Sequence, residues 1–574
     1  MVKRKKKEEI GIGANVRSTA SNMASLADGL RAPNRGEKFR KIKIRTKKSV
    51  DNYIQDSVFV SSPERKTYLK LLKRMVEDHM QVHNQRTFDI ESELIGEDFQ
   101  EVVNQYGGKY AGLKLLQASM KKLKLSGEDI AWLPTVPVNR RVYDKVEEMA
   151  QRLGLVSARK NYLEILAEHK EKFAKGLSNM ERFVAKELED VLKLPFKFNI
   201  RTSSTFEYGG PPGFLDSTMA QERRNKTKQE KTRLILNSLL SFYNHKLYER
   251  IIPEGVGFSP LIQRALFPDK SAFIFSSLPN ADGKGVIIES VLGHAKGIAK
   301  GGHSVYTRVH NGSVKEIVDS FSKLQFIFRV DGKDHIEYTI YNALPDMLSG
   351  KNYQKEWEEH HQKRLKIWKS VTHKIAGGNS PLSKKDLQFL ERMGKSLEDK
   401  LGYAVKIEIS KVGGIFYPLQ LDPVSLSVDK SVDISVPEGA IQFADTPFVN
   451  KPFRAEGRLA YGCYDKVGKL GEEIVYNAIW EDGEGVLRMD PDLLVHYCPN
   501  VKGVFSASTG AKTCHSAGGL YDFKGFMGSN RGYGPLSYMF QRDKETRIVS
   551  TPFKIVLASD GERGVGYIPP SEKR

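Results

Sequence analysis

One histidine lies in a turn whose residue types favour phosphorus chemistry. His515 lies within Gly510–Ala517 and follows a strand-like run, Val501–Ala507. Small residues let backbone N–H groups approach the ring, and a helix that begins here would favour a bound anion. The same field would keep the imidazole neutral, so its nitrogen could attack a phosphorus atom and carry the phosphoryl group. An ordinary loop histidine is the alternative for this residue taken alone.

Two cations in the middle of the chain are of residue types that suit phosphate binding. Lys109 follows a Gly-Gly turn, and Arg201 lies in a strand-like run, 196–202. Arginine meets phosphate oxygens as a planar fork and lysine as a point charge, so both suit a triphosphate. Gly213 lies in a Gly/Pro-rich loop that could close backbone amides over phosphate; a plain surface loop is the alternative.

Two oxygen-bearing side chains lie at the end of the same region. Glu408 lies in the predicted strand Ala404–Ser410, and Gln420 directly follows the next predicted strand, Gly414–Leu419. Carboxylate and amide oxygens suit Mg²⁺, which usually takes only one or two protein ligands. Ordinary outward-facing strand polarity is the alternative for this pair.

The elements that must position these residues alternate between helices and strands, which predicts a mixed α/β (α+β) multidomain fold. We expect strands at Phe196–Thr202, Ser271–Ser276 and Val286–Val291, and helices after Gly107–Gly108, over 143–193, over Gln221–Tyr248 and over about 382–401. The length of 574 residues favours two to four domains.

Charge is unevenly distributed along the chain. The net charge is +20, and residues 1–50 hold 15 basic and 4 acidic side chains, or +11 of it. The whole chain is therefore not a nucleic-acid coat. We expect a flexible basic arm that could bind nucleic acid or another acidic partner, or that is simply a solvated tail.

The cysteine count and the hydropathy limit the cellular compartment in which we expect the protein. Three cysteines, Cys463, Cys498 and Cys514, exclude a disulfide scaffold, and without a CxxC pair they argue against a common structural zinc site. No apolar run approaches the ~18 residues that span a bilayer, and no apolar stretch follows the basic N-terminus. We expect a cytoplasmic protein without membrane or secretory segments.

Ordered motifs along the chain resemble one family. The turn at His515 resembles the G-G-x-T-x-H-A-A segment of the phosphoenolpyruvate synthase and pyruvate phosphate dikinase family, and His515 falls on its phosphorylated histidine. Seven further segments resemble the family's nucleotide-binding motifs in order: Gly107–Leu113, Leu133–Val138, Ile200–Ser204, Pro212–Thr218, Leu261–Arg264, Ile288–Gly293, and Ile407–Glu408 with Tyr417–Pro423. Together they cover roughly 101–574.

The resemblance implies a domain organisation. Residues 1–100 would be a basic extension, partly disordered and then helical, and 101–425 an ATP-grasp nucleotide-binding domain. Residues 426–455 would be a linker and hinge, and 456–574 a swivelling β/β/α phosphohistidine domain.

The resemblance also implies an activity. The protein would phosphorylate its own His515 from Mg-ATP, release AMP and pass the phosphoryl group on, with Arg201 and Lys109 assisting catalysis. The residues implied for nucleotide binding are Lys109, Arg201, Gly213, Gln263, Glu289, Lys296, Glu408 and Gln420, and those implied for Mg²⁺ are Glu408 and Gln420.

Three positions depart from the family pattern by a change of sign. Asp422 stands where the family has arginine, and Lys296 and Lys406 stand where it has acids. One hypothesis is a compensating exchange, in which Lys296 or Lys406 supplies the cation that Asp422 cannot. The other is a degenerate site that binds nucleotide poorly or not at all.

We expect no counterpart of the family's phosphoenolpyruvate-binding barrel, since about 60 residues follow His515. We therefore expect the phosphoryl acceptor to be a separate protein subunit, a small molecule at the domain interface, or something recognised by residues 1–100. A different reading is a non-catalytic structural or assembly protein that retains the fold. A third is the ATP-side subunit of a split dikinase.

Overall fold

A mixed α/β architecture is observed, which confirms the predicted fold class. The computed structural model describes residues 87–125, 129–155, 162–193, 198–205, 208, 227–247, 256–266, 268–277, 285–295, 298, 304–320, 324–330, 333–340, 380–424, 432–461, 464–477, 498–506, 525–529, 536, 539–543, 545–546 and 548–572. The predictions for the basic arm 1–50, Gly213, Lys296 and His515 lie outside these residues.

Helices occupy much of the first half of the described chain. In chain order they are α1 (Asp89–Ile95), α2 (Phe99–Tyr106), α3 (Gly108–Lys122), α4 (Arg140–Arg152), α5 (Tyr162–Glu187), α6 (Glu189–Leu192), α7 (Lys228–Leu247), α8 (Lys384–Leu401) and α9 (Tyr464–Gly468), followed by a 3₁₀ turn at Pro570–Glu572.

Strands form four sheets among the described residues. The strands are β1 (Thr135–Pro137), β2 (Phe198–Arg201), β3 (Leu261–Arg264), β4 (Lys270–Phe275), β5 (Val286–Leu292), β6 (Ser304–His310), β7 (Ser313–Ser320), β8 (Leu324–Val330), β9 (Lys333–Ile340), β10 (Val405–Val412), β11 (Ile415–Pro423), β12 (Ile441–Thr446), β13 (Pro452–Tyr461), β14 (Ile474–Asn477), β15 (Val501–Ser506), β16 (Phe526–Gly528), β17 (Gln541–Arg542), β18 (Val549–Asp560) and β19 (Gly564–Ile568).

Two antiparallel sheets lie in the part predicted to bind nucleotide. A three-stranded sheet has the order β1-β3-β2, and a six-stranded sheet has the order β11-β10-β4-β5-β6-β7. The strands β8 and β9 pair only with each other in the described chain. The predicted strands at 196–202, 271–276, 286–291, 404–410 and 414–419 correspond to β2, β4, β5, β10 and β11.

The alternation of side chains gives the six-stranded sheet two different faces. Ile274, Ile288 and Ile407 are fully buried in one core with the apolar face of α8. Because side chains alternate along a strand, their neighbours Phe273, Glu289 and Glu408 point to the other face. One face of this sheet therefore packs on α8, and the other holds Glu289 and Glu408 among buried apolar side chains such as Phe273.

The helices α1 and α2 belong to the same core as α8. Phe88, Leu94 and Phe99 are buried with Leu115 and Leu116 of α3 in the cluster that packs on the sheet. The boundary predicted at residue 100 therefore falls inside α2, and residues 88–100 pack with the part predicted to bind nucleotide.

The C-terminal sheet combines antiparallel and parallel strands. Its order is β12-β19-β18-β13-β14-β15-β16, with β17 also paired to β18, and the pairs from β13 to β16 are parallel. The strand β12 and the start of β13 lie within the predicted linker 426–455. The Asp- and Pro-rich stretch suggested a linker because it lacks helical periodicity, yet 441–455 contributes strands to this sheet.

In the described chain, no helix is long and apolar enough to cross a membrane.

A capping box fixes the start of α8 against the six-stranded sheet. The Ser383 hydroxyl accepts from the Asp386 N–H at 3.2 Å, and the Asp386 carboxylate accepts from the Ser383 N–H at 3.1 Å and from the Lys411 ammonium. Burial alone would raise the pKa of Asp386, but the Lys411 ammonium and the Ser383 donors outweigh it and hold that pKa below the usual range.

We predict that Asp386→Asn lowers the free energy of unfolding by about 1–2 kcal/mol at neutral pH, because the buried ion pair with Lys411 is lost and the remaining amide oxygen is a weaker acceptor for the Ser383 N–H. A lowered pKa stabilises the folded state above the ordinary aspartate pKa, and this contribution is lost as the pH falls through the folded-state pKa. Chemical denaturation of wild type and variant from pH 7 to pH 3 should show the gap closing in acid. Exposed Asp399→Asn in the last turn of α8 is the control, and an equal loss in both variants would refute the assignment.

Candidate functional site

A single guanidinium joins the three-stranded sheet to the six-stranded sheet. Arg201, the last residue of β2, donates through Nη2 to Gln420 Oε1 at 2.9 Å and to Glu408 Oε2 at 3.3 Å. Its Nη1 donates to the Leu419 carbonyl at 3.2 Å and to Gln263 Oε1 at 3.4 Å. The planar fork of arginine thus contacts acceptors from β3, β10 and β11.

Strand register explains why Glu408 and Gln420 meet the same cation. Glu408 of β10 is the direct cross-strand partner of Gln420 in β11 and of Phe273 in β4. Phe273 in turn pairs with Glu289 in β5. Directly opposed residues share a face of the sheet, so these four side chains form one row across four strands. Arg201 contacts the β10–β11 end of this row.

Glu289 lies in the same row but is more deeply buried. Its side chain is 1% exposed, and its Oε1 accepts a hydrogen bond from the Ser304 hydroxyl at 2.6 Å. Ser304 begins the neighbouring strand β6. A charge-assisted hydrogen bond of this kind compensates part of the cost of burying the carboxylate. Glu289 is thus placed on the face opposite α8 by β5 and oriented by β6.

Gln263 links Arg201 to the outer strand of the small sheet. Its Oε1 accepts from Arg201, and its Nε2 donates to the Thr135 hydroxyl at 3.1 Å. Gln263 and Thr135 are register partners on β3 and β1, and Gln263 is 4% exposed. Both ends of the carboxamide are therefore used, which fixes its orientation.

Lys109 is positioned by a close approach of two segments that are far apart in sequence. Its ammonium donates to the Thr202 hydroxyl at 3.0 Å, next to Arg201 in the chain. The Gly108 N–H donates to the Ser204 carbonyl at 2.8 Å, and the Ser203 hydroxyl donates to the Tyr106 carbonyl at 3.0 Å. The start of α3 is thereby held against the end of β2.

Gly107 makes this approach sterically feasible. Its φ is +76°, and a Cβ placed there would lie 2.4 Å from the carbonyl oxygen of Ser203. Only glycine adopts this conformation readily and leaves room for the neighbouring backbone. The Gly-Gly-Lys spacing thus reflects a packing requirement that carries Lys109 to the end of β2.

The two sign changes at 406 and 422 are partners of each other. Lys406 and Asp422 are register partners on β10 and β11, and Lys406 Nζ lies 2.8 Å from Asp422 Oδ2. The side chains are 14% and 9% exposed. Gln420 Nε2 donates to both oxygens of the same carboxylate, at 3.0 and 2.9 Å. Lys406, one of the two candidates for the compensating cation, thus pairs with Asp422 itself.

The structure brings together most of the described residues that the sequence singled out. Arg201, Gln263, Glu408 and Gln420 form one hydrogen-bonded group, which we call the arginine cluster. Glu289 lies in the same cross-strand row, and Lys109 lies against Thr202. Thr135, Thr202 and the Leu419 carbonyl were not predicted as members, although each lies within a motif segment that the sequence analysis quoted.

His515 lies in the chain between β15 and β16, two parallel neighbours in the C-terminal sheet. Its own placement, and that of Gly213 and Lys296, lie outside the described residues. The structure therefore describes the candidate nucleotide site around Arg201 and leaves the histidine as a prediction from sequence.

The arginine cluster can bind an anion or a cation. Arg201 and Glu408 are 17% and 16% exposed, so both retain some access to solvent. A polyanion could take acceptor positions on the guanidinium, while the oxygens of Glu408 and Gln420 converge on one positive group. Within the described ranges, no three His, Cys, Asp or Glu side chains gather closely enough to hold a metal ion alone.

Fold and site together define a mixed α/β protein with an arginine-centred polar contact between two antiparallel sheets. No protein-family model matches the sequence, and no curated protein matches it. Among solved structures, phosphoribosylglycinamide synthetase from Anaerococcus prevotii is similar at 9% identity, with a TM-score of 0.12. That match covers 59% of this chain and spans 56% of the length of the synthetase. A TM-score this low does not establish a shared fold.

We predict that Gly107→Ala lowers the free energy of unfolding by about 2–4 kcal/mol, since it combines an unfavourable φ with a backbone clash. Gly96→Ala is the control, because Gly96 has the same φ of +76° and nothing within 4 Å of its Cβ position, although its ψ is 23° and that of Gly107 is 163°. That control should lose about 1–2 kcal/mol. Urea unfolding measures both variants, and equal losses would show that the contact with Ser203 is unimportant.

Proposed function

We propose that this chain is an ATP-dependent phosphotransferase in which the arginine cluster binds Mg-ATP and His515 accepts the phosphoryl group. The observation that carries the proposal is the convergence of Arg201, Glu408 and Gln420 between two sheets. A fork of N–H donors next to hard oxygen ligands meets the two needs of a metal-bound triphosphate. The ordered resemblance to the dikinase motifs supports the same conclusion.

The cations would act through charge and position. Arg201 lies among four oxygen acceptors, so phosphate oxygens can replace some of these partners without leaving the guanidinium unpaired. Lys109, held against Thr202, would add a point charge from the start of α3. In phosphoryl transfer, most of the rate acceleration comes from positioning and electrostatic stabilisation of this kind.

The donor set at Glu408 and Gln420 fits Mg²⁺. The two oxygens approach the same guanidinium nitrogen, at 3.3 and 2.9 Å, so they converge on one point. One carboxylate and one amide oxygen are within the usual protein share of a magnesium shell. When bound, Mg²⁺ would neutralise charge on the phosphates.

The transfer would proceed in three steps. An imidazole nitrogen of His515 forms a bond to the β-phosphorus, and the bond from that phosphorus to the bridging α-oxygen breaks, so AMP leaves with the electron pair. An oxygen of water or inorganic phosphate then bonds to the outer phosphorus, and the bond from that phosphorus to the bridging oxygen breaks, so the electron pair stays on the phosphoryl group that remains on His515. That group passes to an acceptor whose chemistry the described residues do not define.

We predict that the protein incubated with β-labelled ATP and Mg²⁺ acquires acid-labile, base-stable label, as expected of a phosphohistidine. His515→Ala should acquire none, whereas His360→Ala, on a charged stretch, should be labelled like wild type. Unlabelled wild type that nevertheless binds Mg-ATP would contradict the transfer step. Wild type that neither binds nor becomes labelled would support the non-catalytic alternative.

We predict that Arg201→Lys raises the Kd for Mg-ATP by about 10- to 100-fold, because a point charge cannot reproduce the fork. Isothermal titration calorimetry measures the change. Arg563→Lys, an exposed arginine paired with Asp445 in the C-terminal sheet, is the matched control and should bind like wild type. Wild-type affinity in Arg201→Lys would exclude the arginine cluster as the nucleotide site.

A further inference from the structure

The contact between Asp422 and Gln420 defines which group donates the hydrogen bond and which accepts it. A carboxylate that pairs with Lys406 only accepts hydrogen bonds, so Gln420 must turn its NH₂ group toward Asp422. The amide oxygen then points the other way and accepts from Arg201 Nη2 at 2.9 Å. Either neighbour alone would favour this orientation, and together they leave only one.

We propose that Asp422 is a positioning residue that directs the amide oxygen of Gln420 into the arginine cluster, and that Lys406 holds Asp422 in this role. The inference rests on the proposed function, because it is this oxygen that would bind Mg²⁺ or Arg201 in the nucleotide complex. The carboxamide has nearly the same shape when it is flipped, so shape alone cannot choose the orientation. A neighbour that only accepts hydrogen bonds, such as the Asp422 carboxylate, can choose the orientation.

The contacts of Asp422 explain why the group beside Gln420 is one member of an ion pair. Asp422 is 6% exposed, and an isolated carboxylate at that depth would be costly to desolvate. Lys406 is its register partner on the adjacent strand, so the compensating charge comes from the sheet itself. The carboxylate keeps accepting from Gln420 while its charge is balanced.

Exchanging the two charges separates positioning from mere stabilisation. In Lys406→Asp/Asp422→Lys the ion pair is kept, but the group beside Gln420 now donates. The amide should flip and present its NH₂ group to Arg201, where two donors face each other. We expect wild-type thermal stability within a few degrees but a Kd for Mg-ATP raised by about tenfold or more.

A third substitution tests the orientation itself. Gln420→Glu replaces the polar amide by a carboxylate that accepts at both ends. In the wild-type background the new carboxylate faces the carboxylate of Asp422. In the Lys406→Asp/Asp422→Lys background it can accept from the introduced ammonium as well as from Arg201. The proposal therefore predicts that Gln420→Glu weakens Mg-ATP binding in the wild-type background and restores it in the exchanged one.

Thermal unfolding tests the orientation without nucleotide. The four proteins compared are wild type, Gln420→Glu, the exchanged variant and the exchanged variant with Gln420→Glu. The effect of Gln420→Glu on the melting temperature should be more favourable in the exchanged background than in wild type. Should the exchanged protein fail to fold, Asp422→Asn takes its place, since the asparagine NH₂ group can donate to the carboxylate introduced by Gln420→Glu. The exposed pair Lys502 and Glu473, 3.2 Å apart, provides a charge-exchange control that should change neither readout.

Outcomes separate the two proposals. If Gln420→Glu has the same effect on melting in both backgrounds, Asp422 does not orient Gln420 and the inference is overturned. If wild type binds no Mg-ATP while the melting temperatures show the predicted coupling, the proposed function fails and the orienting role stands. If the exchanged protein binds like wild type, the pair is only structural.

Discussion

The arrangement depends on placing one guanidinium between two sheets. Arg201 is 17% exposed and requires acceptors from three different strands, so the three-stranded and six-stranded sheets must approach at a defined distance and register. A buried arginine is tolerated only where its N–H groups are matched. The end of β2 supplies the cation, β10 and β11 supply a carboxylate, an amide and a carbonyl, and β3 supplies a second amide. A change of angle between the sheets would break several of these bonds together.

Register within the six-stranded sheet is set by its apolar face. Ile274, Ile288 and Ile407 are buried with α8, and a slip of one residue would turn them to the opposite face and bury Glu408 in the α8 core. The core therefore determines where the row of Glu289 and Glu408 lies. An irregularity between Glu408 and Ile409 separates the row from the rest of the β10–β11 ladder. Stability and site geometry are thus linked through the same strands.

Much of the site could be predicted from the resemblance to the dikinase motifs, and its connectivity could not. Arg201, Gln263, Glu408 and Gln420 were predicted as one site, and the structure brings their side chains into contact. The pairing of Lys406 with Asp422 depends on strand register, which three separate sign changes in a sequence do not reveal. Gly107 was read as a turn, but its close approach to Ser203 depends on a segment about a hundred residues away. The strand β12 was missed because Asp and Pro at its flanks obscure its alternation. The role of His515 stays a prediction.

Hydrogen exchange with Mg²⁺ and a non-hydrolysable ATP analogue tests most directly whether the arginine cluster is the nucleotide site. The account predicts slower exchange in three segments, 107–112, 198–204 and 415–423, with little change over β18 and β19. The three segments are far apart in sequence and, in the described part of the chain, adjoin one another at this place, so joint protection identifies it. Binding of the analogue with protection elsewhere and none in these segments would contradict the account.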